Sequence, residues 1–385
     1  MKYSCARHKS SIIFEAEKLI PINLPKIGEE EIEAVVKVMR KGPLTNALGA
    51  GPMVTQFEKN YAKFAGVKHA VAANTGTAAL HMSAASVGVK PGDEVILPSF
   101  TFVATAEAVV LAGGKPVFAD IDPATYCLSP VAVEKAITKK TKVILPVDLY
   151  GFPVDTKPLR EIAKKNGLAL VEDAAQAHGA ERDGKTAGAF ADAACWSLYA
   201  SKNMTTGEGG VVTTDGDGIA EILRMVRTHG EKAKYASEML GSNYRMAEIE
   251  AAMGIVQLEK LPAFVAKRRA NAKRLTEILE KTKKLKLPKA PKGGHHSWYL
   301  YTVRLLNGTE TERNRILDEL HKKGIGAEAY YVNPVHTMPY YREGFGKRNL
   351  PETEKAAKQV FSLPVHPGVS GEQVDFIGKT LLQLL

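Results

Sequence analysis

The feature that most constrains this chain is the alternation running from about residue 50 to residue 215. Short apolar runs ("HAVAAN", "DEVILP", "KPVFADI", "TKVILPVDLYG" and "LALVEDAAQ") are separated by segments of helical periodicity. Those segments are "GPMVTQFEKNYAKFAG", "TGTAALHMSAASVGV", "FVATAEAVVLAG", "PVAVEKAI" and "DTKPLREIAKKNG". In the first of them Val54, Phe57, Tyr61 and Phe64 recur on one helical face. Continuously apolar strands joined by helices of about ten residues predict an α/β fold with a mainly parallel sheet covered on both sides. Ligands on such sheets bind beyond the carboxyl ends of the strands, so polar residues falling there are the candidates for chemistry.

After about Arg245 the pattern changes. "MAEIEAAMGIVQLEKLPAFVAKRRANAKRLTEILE" is helical, with Pro262 expected to break it or to open a fresh first turn. "SWYLYTVRL" alternates as a strand does. "ERNRILDELHKKG" and "GEQVDFIGKTLLQLL" are helical, with the Pro- and Tyr-rich loop "YYVNPVHTMPYYREG" between them. The expected organisation is an N-terminal extension over residues 1–21, a large domain over 22–255 and a smaller α/β domain over 256–385. A chain of 385 residues is long enough for that arrangement.

No stretch resembles an apolar membrane span, and the basic N-terminus meets Glu15 and Glu17 before any apolar core forms. A cytoplasmic protein is the expectation. The three cysteines, Cys5, Cys127 and Cys195, lack CxxC spacing, so neither a disulfide framework nor a zinc or iron–sulfur site is expected. Net charge is +10, and its distribution is uneven. From Lys260 onward there are 23 Lys and Arg against 12 Asp and Glu, whereas the first 259 residues carry 29 against 30. At helical spacing most of this excess is a solvated face; its functional reading is attraction of an anionic, phosphate-bearing substrate. No aromatic-interleaved RNA motif or helix-turn-helix pattern accompanies it, so nucleic acid is not an expected partner.

Four features combine chemically. Gly76 and Thr77, in "NTGTAAL", stand at a strand-to-helix turn, where free N–H groups and the helix dipole favour a phosphate; a plain helix start reads the same way. Asp173 ends the run "LALVED", with Gln176 close behind. A carboxylate there serves as a metal ligand, a helix cap or a partner for a protonated ring nitrogen. Although His178 is near in sequence, no cluster at metal spacing surrounds Asp173, and the metal reading ranks last. Lys202 interrupts "CWSLYASKNMTTGEGGVV", an unusual place for a residue that seldom leaves the surface. A partly desolvated lysine is a nucleophile toward carbonyls. Ser197 offers a hydroxyl on the same segment, and the Thr/Gly loop after Lys202 is expected to give the amine room to move. Phe102, just beyond "DEVILP", is either core or a ring that stacks on a flat ligand. A phosphate cradle, a stacking ring, a carboxylate for a pyridine nitrogen and a lysine for an aldehyde are together the parts that hold pyridoxal 5′-phosphate.

The wording and order of "NTGTAALH", "PSFTFVATA", "VEDAAQAHGA", "WSLYASKNMTTGEGGVV", "NYRM" and "LPVHPG" resemble the DegT/StrS family of pyridoxal-phosphate-dependent sugar aminotransferases, from about Ile22 to the C-terminus. The resemblance implies fold type I, the aspartate-aminotransferase-like fold, and a homodimer with shared active sites. It implies Lys202 as the covalent attachment of the cofactor aldehyde, Asp173 as partner of the pyridine nitrogen, and Gln176 beside the phenolic oxygen. Gly76, Thr77 and Ser197 would hold the phosphate, Phe102 would stack, and Asn243 would reach the phosphate of the neighbouring subunit. Tyr199, Tyr331 and His336 would face substrate. Two departures are Leu198, second in "SLYASK", and Ser201 before the lysine, where many relatives carry Phe and Thr.

The activity implied is transfer of an amino group from an amino acid, L-glutamate first, to a keto sugar on a nucleoside diphosphate, with ping-pong kinetics through pyridoxamine phosphate. A 4-keto-6-deoxyhexose and a perosamine-synthase-like reaction lead; a 3-keto sugar or a cyclitol ketone follows. A dehydratase of the same family would replace the lysine with histidine, and a non-catalytic regulator would have lost Lys202 or Asp173. Both residues are present.

Overall fold

The computed structural model describes residues 19–385. Cys5 and nearly all of the expected N-terminal extension lie outside the described residues. Helices α1 (Glu29–Lys41) and α2 (Pro52–Ala65) lead into β1 (His69–Ala73), and α3 (Gly76–Ser86) into β2 (Glu94–Pro98). The alternation continues through α4 (Ala104–Leu111), β3 (Lys115–Ala119), α5 (Pro130–Ala136), β4 (Thr141–Ile144), α6 (Thr156–Asn166) and β5 (Ala169–Asp173). Two further strands, β6 (Ala193–Ser197) and β7 (Gly210–Thr214), and helix α7 (Asp217–Arg227) complete this half.

The seven strands form one sheet in the order β1-β7-β6-β5-β4-β2-β3. All neighbours from β6 to β3 are parallel, and only β7 runs against the rest. Strands β2, β6 and β7 are buried at every residue, as expected of strands covered on both faces. In α2, Val54, Phe57 and Tyr61 are fully buried while Phe64 is half-buried. The run "TKVILPVDLYG" is shorter as a strand than its apolar length suggests. Pro146 has no N–H to extend the ladder, and the chain turns through a 3-10 element at Leu149–Gly151.

Helix α8 (Glu248–Leu279) corrects one expectation, because it continues through Pro262 without ending. A proline inside a helix costs about 3 kcal/mol through a lost hydrogen bond and a steric clash. Leu258, Leu261 and Val265, buried on both sides of it, hold the two parts in line at roughly 1.5–3 kcal/mol for each buried side chain. Residue 255, the division drawn from the sequence, therefore falls inside one helix. The first turns of α8 pack under the large sheet, and Ala272, Leu275 and Leu279 enter a second core.

That second core gathers around a three-stranded antiparallel sheet, β8 (Leu285–Lys286), β9 (Tyr301–Leu305) and β10 (Val360–Leu363), in the order β8-β9-β10. Helices α9 (Glu310–Lys322), α10 (Pro339–Phe345), α11 (Pro351–Gln359) and α12 (Gly371–Leu384) complete the C-terminal part. The strand expected over "SWYLYTVRL" begins only at Tyr301, because Trp298 lies at φ 53°, in the left-handed region. No described helix is long and apolar enough to cross a membrane.

Candidate active site

The polar residues singled out above converge where β1, β2, β5 and β6 end and α3 and α4 begin. In α3, Thr75 is the N-cap, and its hydroxyl accepts from the Ala78 N–H at 3.0 Å. That leaves the N–H groups of Gly76 and Thr77, in the first turn, facing outward with the positive end of the helix dipole. The turn lies against Ser197 at the end of β6. A Cβ added at Gly76 would fall 2.8 Å from the Ser197 Cβ and 2.9 Å from its Oγ, so only glycine permits this approach. The result is an anion cradle of two backbone N–H groups and one hydroxyl.

Asp173 closes β5 and is buried. Its Oδ2 accepts from the Thr105 hydroxyl at 2.8 Å and its Oδ1 from the Ala175 N–H at 3.1 Å, with the Cys195 thiol at 3.8 Å. Thr105 in turn shares a 2.8 Å hydrogen bond with Thr101. Burial pushes the Asp173 carboxyl above its ordinary range, and the Thr105 hydroxyl, the Ala175 N–H and the charge of Lys202 oppose that shift. Such a carboxylate needs a cation, and a protonated pyridine nitrogen would be one.

Thr105 was not among the residues marked in the sequence. Its signal was available, one helical turn after Thr101 in "FTFVAT", but nothing in the spacing shows that it reaches a strand two positions away in the sheet. Thr105→Val is expected to weaken pyridoxal phosphate binding about 10- to 100-fold, the worth of a hydrogen bond to a charged group. Thr105→Ser should stay close to wild type. Titration of cofactor-free protein, followed by absorbance, checks both.

Lys202 lies in the turn after β6, half-buried, with its backbone N–H donating to the Tyr199 carbonyl at 2.9 Å. The loop after it is not the loose segment expected from its Thr and Gly content. Thr205 and Thr206 are buried, and the Thr205 hydroxyl and the Thr206 N–H both donate to the Leu198 carbonyl, at 2.8 and 3.0 Å. The Asn203 amide donates to the carbonyls of His178 and Ser297, at 3.2 Å each. Freedom of the amine therefore resides in the lysine side chain, above a fixed backbone. His178 itself is fully buried against Trp196 and Tyr61, and burial first, then the charge of Lys202, lowers it to about 3. Among the described residues no group of three or more His, Cys, Asp or Glu is placed to hold a metal.

Around the mouth, the Gln176 amide oxygen accepts from the Tyr150 N–H at 2.7 Å, and its nitrogen donates to the Tyr331 hydroxyl at 3.1 Å. Tyr331 stands 6.2 Å from Phe102, centroid to centroid. Phe102, in the turn between β2 and α4, is 55% exposed, so its ring is open to solvent. Tyr199 is also exposed. Asn243 is exposed and its carbonyl accepts from Asn74, beside the start of α3. His336 stands apart from the others. It is buried, with Nδ1 2.6 Å from the Ser99 hydroxyl and Nε2 3.3 Å from Glu354. Both ring nitrogens are engaged, so His336 ties α11 to the end of β2 and is not carried forward as a substrate contact.

These residues fit pyridoxal phosphate on their own chemistry: a glycine-dependent anion cradle, a buried carboxylate short of a cation, an exposed ring and a half-buried lysine. Fold and site together define a fold type I, pyridoxal-phosphate-dependent aminotransferase. The chain belongs to the DegT/DnrJ/EryC1/StrS aminotransferase family, which it matches over residues 25–382. It is 39% identical over 366 residues to a pleiotropic regulatory protein of Geobacillus stearothermophilus, covering 94% of this chain and 97% of that one. It is 36% identical to the GDP-perosamine synthase of Caulobacter vibrioides, covering 95% and 98%. Among solved structures, DesI in the presence of its TDP-sugar product superposes with a TM-score of 0.88 at 33% identity, covering 95% of this chain and 92% of that one.

Proposed function

We propose that this protein moves an amino group from L-glutamate to a keto sugar carried on a nucleoside diphosphate, with a 4-keto-6-deoxyhexose as the preferred acceptor. The observation that carries this reading is the buried Asp173 carboxyl within reach of the charge of Lys202, at the end of the strand beside the one whose Ser197 completes the anion cradle of α3. When bound there, pyridoxal phosphate supplies an electron sink for a carbanion at the substrate carbon. Asp173 would pair with its protonated pyridine nitrogen. Gly76, Thr77 and Ser197 would hold its phosphate, and Phe102 and Gln176 would bear on its ring. Lys202 Nζ, once free, takes the proton from the α-carbon of the donor and later returns one to the carbon that receives the amine, as general base and then acid. Tyr199 and Tyr331 line the cleft on the side open to substrate.

The acceptor class draws support from likeness to GDP-perosamine synthase and to DesI with its TDP-sugar product. The basic C-terminal third suits a diphosphate. A homodimer sharing its sites is part of the proposal. Apolar side chains on the surface support it: Ile32, Met39, Leu44 and Leu48, and at the hairpin that follows α7, Tyr235 and Leu240 at 86% and 90% exposure. The buried thiols of Cys127 and Cys195 are both free, in keeping with a reducing cytoplasm.

The test has two stages. L-Glutamate alone should bleach the visible band of the loaded protein and release 2-oxoglutarate. A panel of 4-keto and 3-keto sugars on GDP, UDP and dTDP should then restore the band, with one acceptor gaining an amine by mass. An intact glutamate stage with no amination across the panel would overturn the sugar assignment. A silent glutamate stage would overturn the choice of donor.

A further inference from the structure

The pocket holds a contact that none of the roles above uses. Lys202 Nζ lies 4.6 Å from the ring centroid of Tyr299, over its face, and Tyr299 belongs to the segment leading into β9. An aromatic face attracts an ammonium without forming a bond that fixes it. The Tyr299 hydroxyl is 3.0 Å from the hydroxyl of Ser201, the residue next to Lys202. The ring is therefore tied to the turn that carries the lysine.

Tyr299 is also held from behind. Arg268, buried in α8, donates to the carbonyls of Trp298 and Tyr299 at 3.3 and 3.1 Å. The Leu300 N–H donates to the Tyr150 carbonyl at 3.2 Å, and the Ser297 N–H to the Gly151 carbonyl at 2.9 Å. Gly151 lies at φ 93°, and a Cβ there would come within 2.9 Å of the Tyr299 nitrogen, so the two segments meet only because this residue is glycine. Trp298, at φ 53°, stacks on His296 with centroids 4.1 Å apart and planes 6° from parallel. The backbone of Tyr299 is thus fixed by the large-sheet half and by α8, and its ring is presented to the lysine.

We infer that Tyr299 is the seat of the Lys202 amine whenever the lysine is not bonded to the cofactor, and so a positioning residue for proton carriage by that amine. This rests on the reading of Lys202 given above. A lysine that shuttles a proton must be held close to the reacting carbon between strokes and must still be able to leave. A carboxylate at this point would retain the charge, and an aliphatic side chain would let the amine drift. A ring face on a fixed backbone does neither. The assignment also gives the C-terminal part a role inside the pocket, because a change in the segment before β9 would be felt at Lys202.

The test uses Tyr299→Leu, Tyr299→Phe and wild type, each as cofactor-free protein titrated with pyridoxamine phosphate, which leaves the lysine free, and with pyridoxal phosphate, which bonds it. The contact exists in the cofactor-free protein and with pyridoxamine phosphate bound, and is given up only when pyridoxal phosphate bonds the lysine. Tyr299→Leu is therefore expected to leave pyridoxamine phosphate within about twofold and to tighten pyridoxal phosphate about tenfold, the size of a partly desolvated cation–π contact. Single-turnover bleaching by L-glutamate should slow by a similar factor. Tyr299→Phe, which keeps the ring, should stay within about twofold of wild type in all three measurements. Equal changes for both phosphates, equal changes in the Leu and Phe variants, or no change in the Leu variant would each overturn the inference. Should the Leu variant fail to fold, Tyr299→Met carries the same expectations. Wild type reports separately on the underlying reading: if its lysine takes up pyridoxal phosphate and Tyr299→Leu shows no selective change between the two phosphates, only the role of Tyr299 falls.

Discussion

Lys202→Ala is expected to lose the visible band of the bound cofactor and to turn over at least about 10³-fold more slowly, while still folding. General acid–base catalysis by one positioned side chain contributes roughly 10²- to 10⁴-fold, and here the same residue also provides the covalent attachment. Little stability should be lost. Among the described residues no salt bridge to Lys202 is present, and the hydrogen bond of its backbone N–H to Tyr199 survives truncation to alanine. The vacated space lies beside Asp173 and Tyr299, so a small primary amine added to the buffer should restore part of the bleaching by L-glutamate. Absorbance, thermal melting and single-turnover kinetics on the same preparation check the three parts together. A variant that kept both the band and its turnover would remove Lys202 from the mechanism.

Asp173→Asn separates stability from function. Breaking a buried ion pair by removing one partner costs about 3–5 kcal/mol, which as a barrier corresponds to roughly 10²- to 10⁴-fold in rate. Turnover and cofactor affinity should therefore both fall steeply. The cofactor-free protein should melt no lower than wild type, and increasingly higher as pH rises above the ordinary carboxylate range. The sign follows from the direction of the carboxyl shift. Burial raises the Asp173 pKa in the folded chain above its ordinary value of 3.8, so the folded state binds the proton more tightly than the unfolded one. Stability is then highest below the unfolded pKa and declines as pH rises through the raised folded value. The asparagine carries no such slope. Its amide can donate to Thr105, whose hydroxyl turns to accept and still faces Thr101. Melting temperatures of both cofactor-free proteins across pH show this as two curves that diverge as pH rises. Parallel curves would mean that Asp173 carries no ionisation penalty in the fold.

Much of this was legible in the sequence because it depends on local pattern. The alternation of apolar runs and helical segments set out the large sheet, since strands buried on both faces must be apolar throughout. Asp173, Ser197 and Gly76 were visible as polar or small residues at the places where such runs stop. Residues that act across the chain were not legible. Thr105 reaches Asp173 from a different strand-to-helix connection, and Tyr299 reaches Lys202 from 97 positions further on, so no periodicity relates either pair. His336 was misplaced for the same reason, because its partners Ser99 and Glu354 lie on either side of it at long range and occupy both ring nitrogens. Pro262 was read by its local rule, and tertiary burial of Leu258, Leu261 and Val265 outweighed that rule. The loop after Lys202 shows the reverse error: Thr and Gly composition suggested freedom, and the threonine hydroxyls tie the turn down.

The central claim is that Lys202 is the residue that bonds the cofactor. It is tested most directly by loading the purified protein with pyridoxal phosphate, reducing it with borohydride, digesting it and mapping the modified peptide by mass. The account predicts one phosphopyridoxyl group per chain, on Lys202, and none in Lys202→Ala. A group found on another lysine, or no group at all in protein that has demonstrably bound the cofactor, would contradict it.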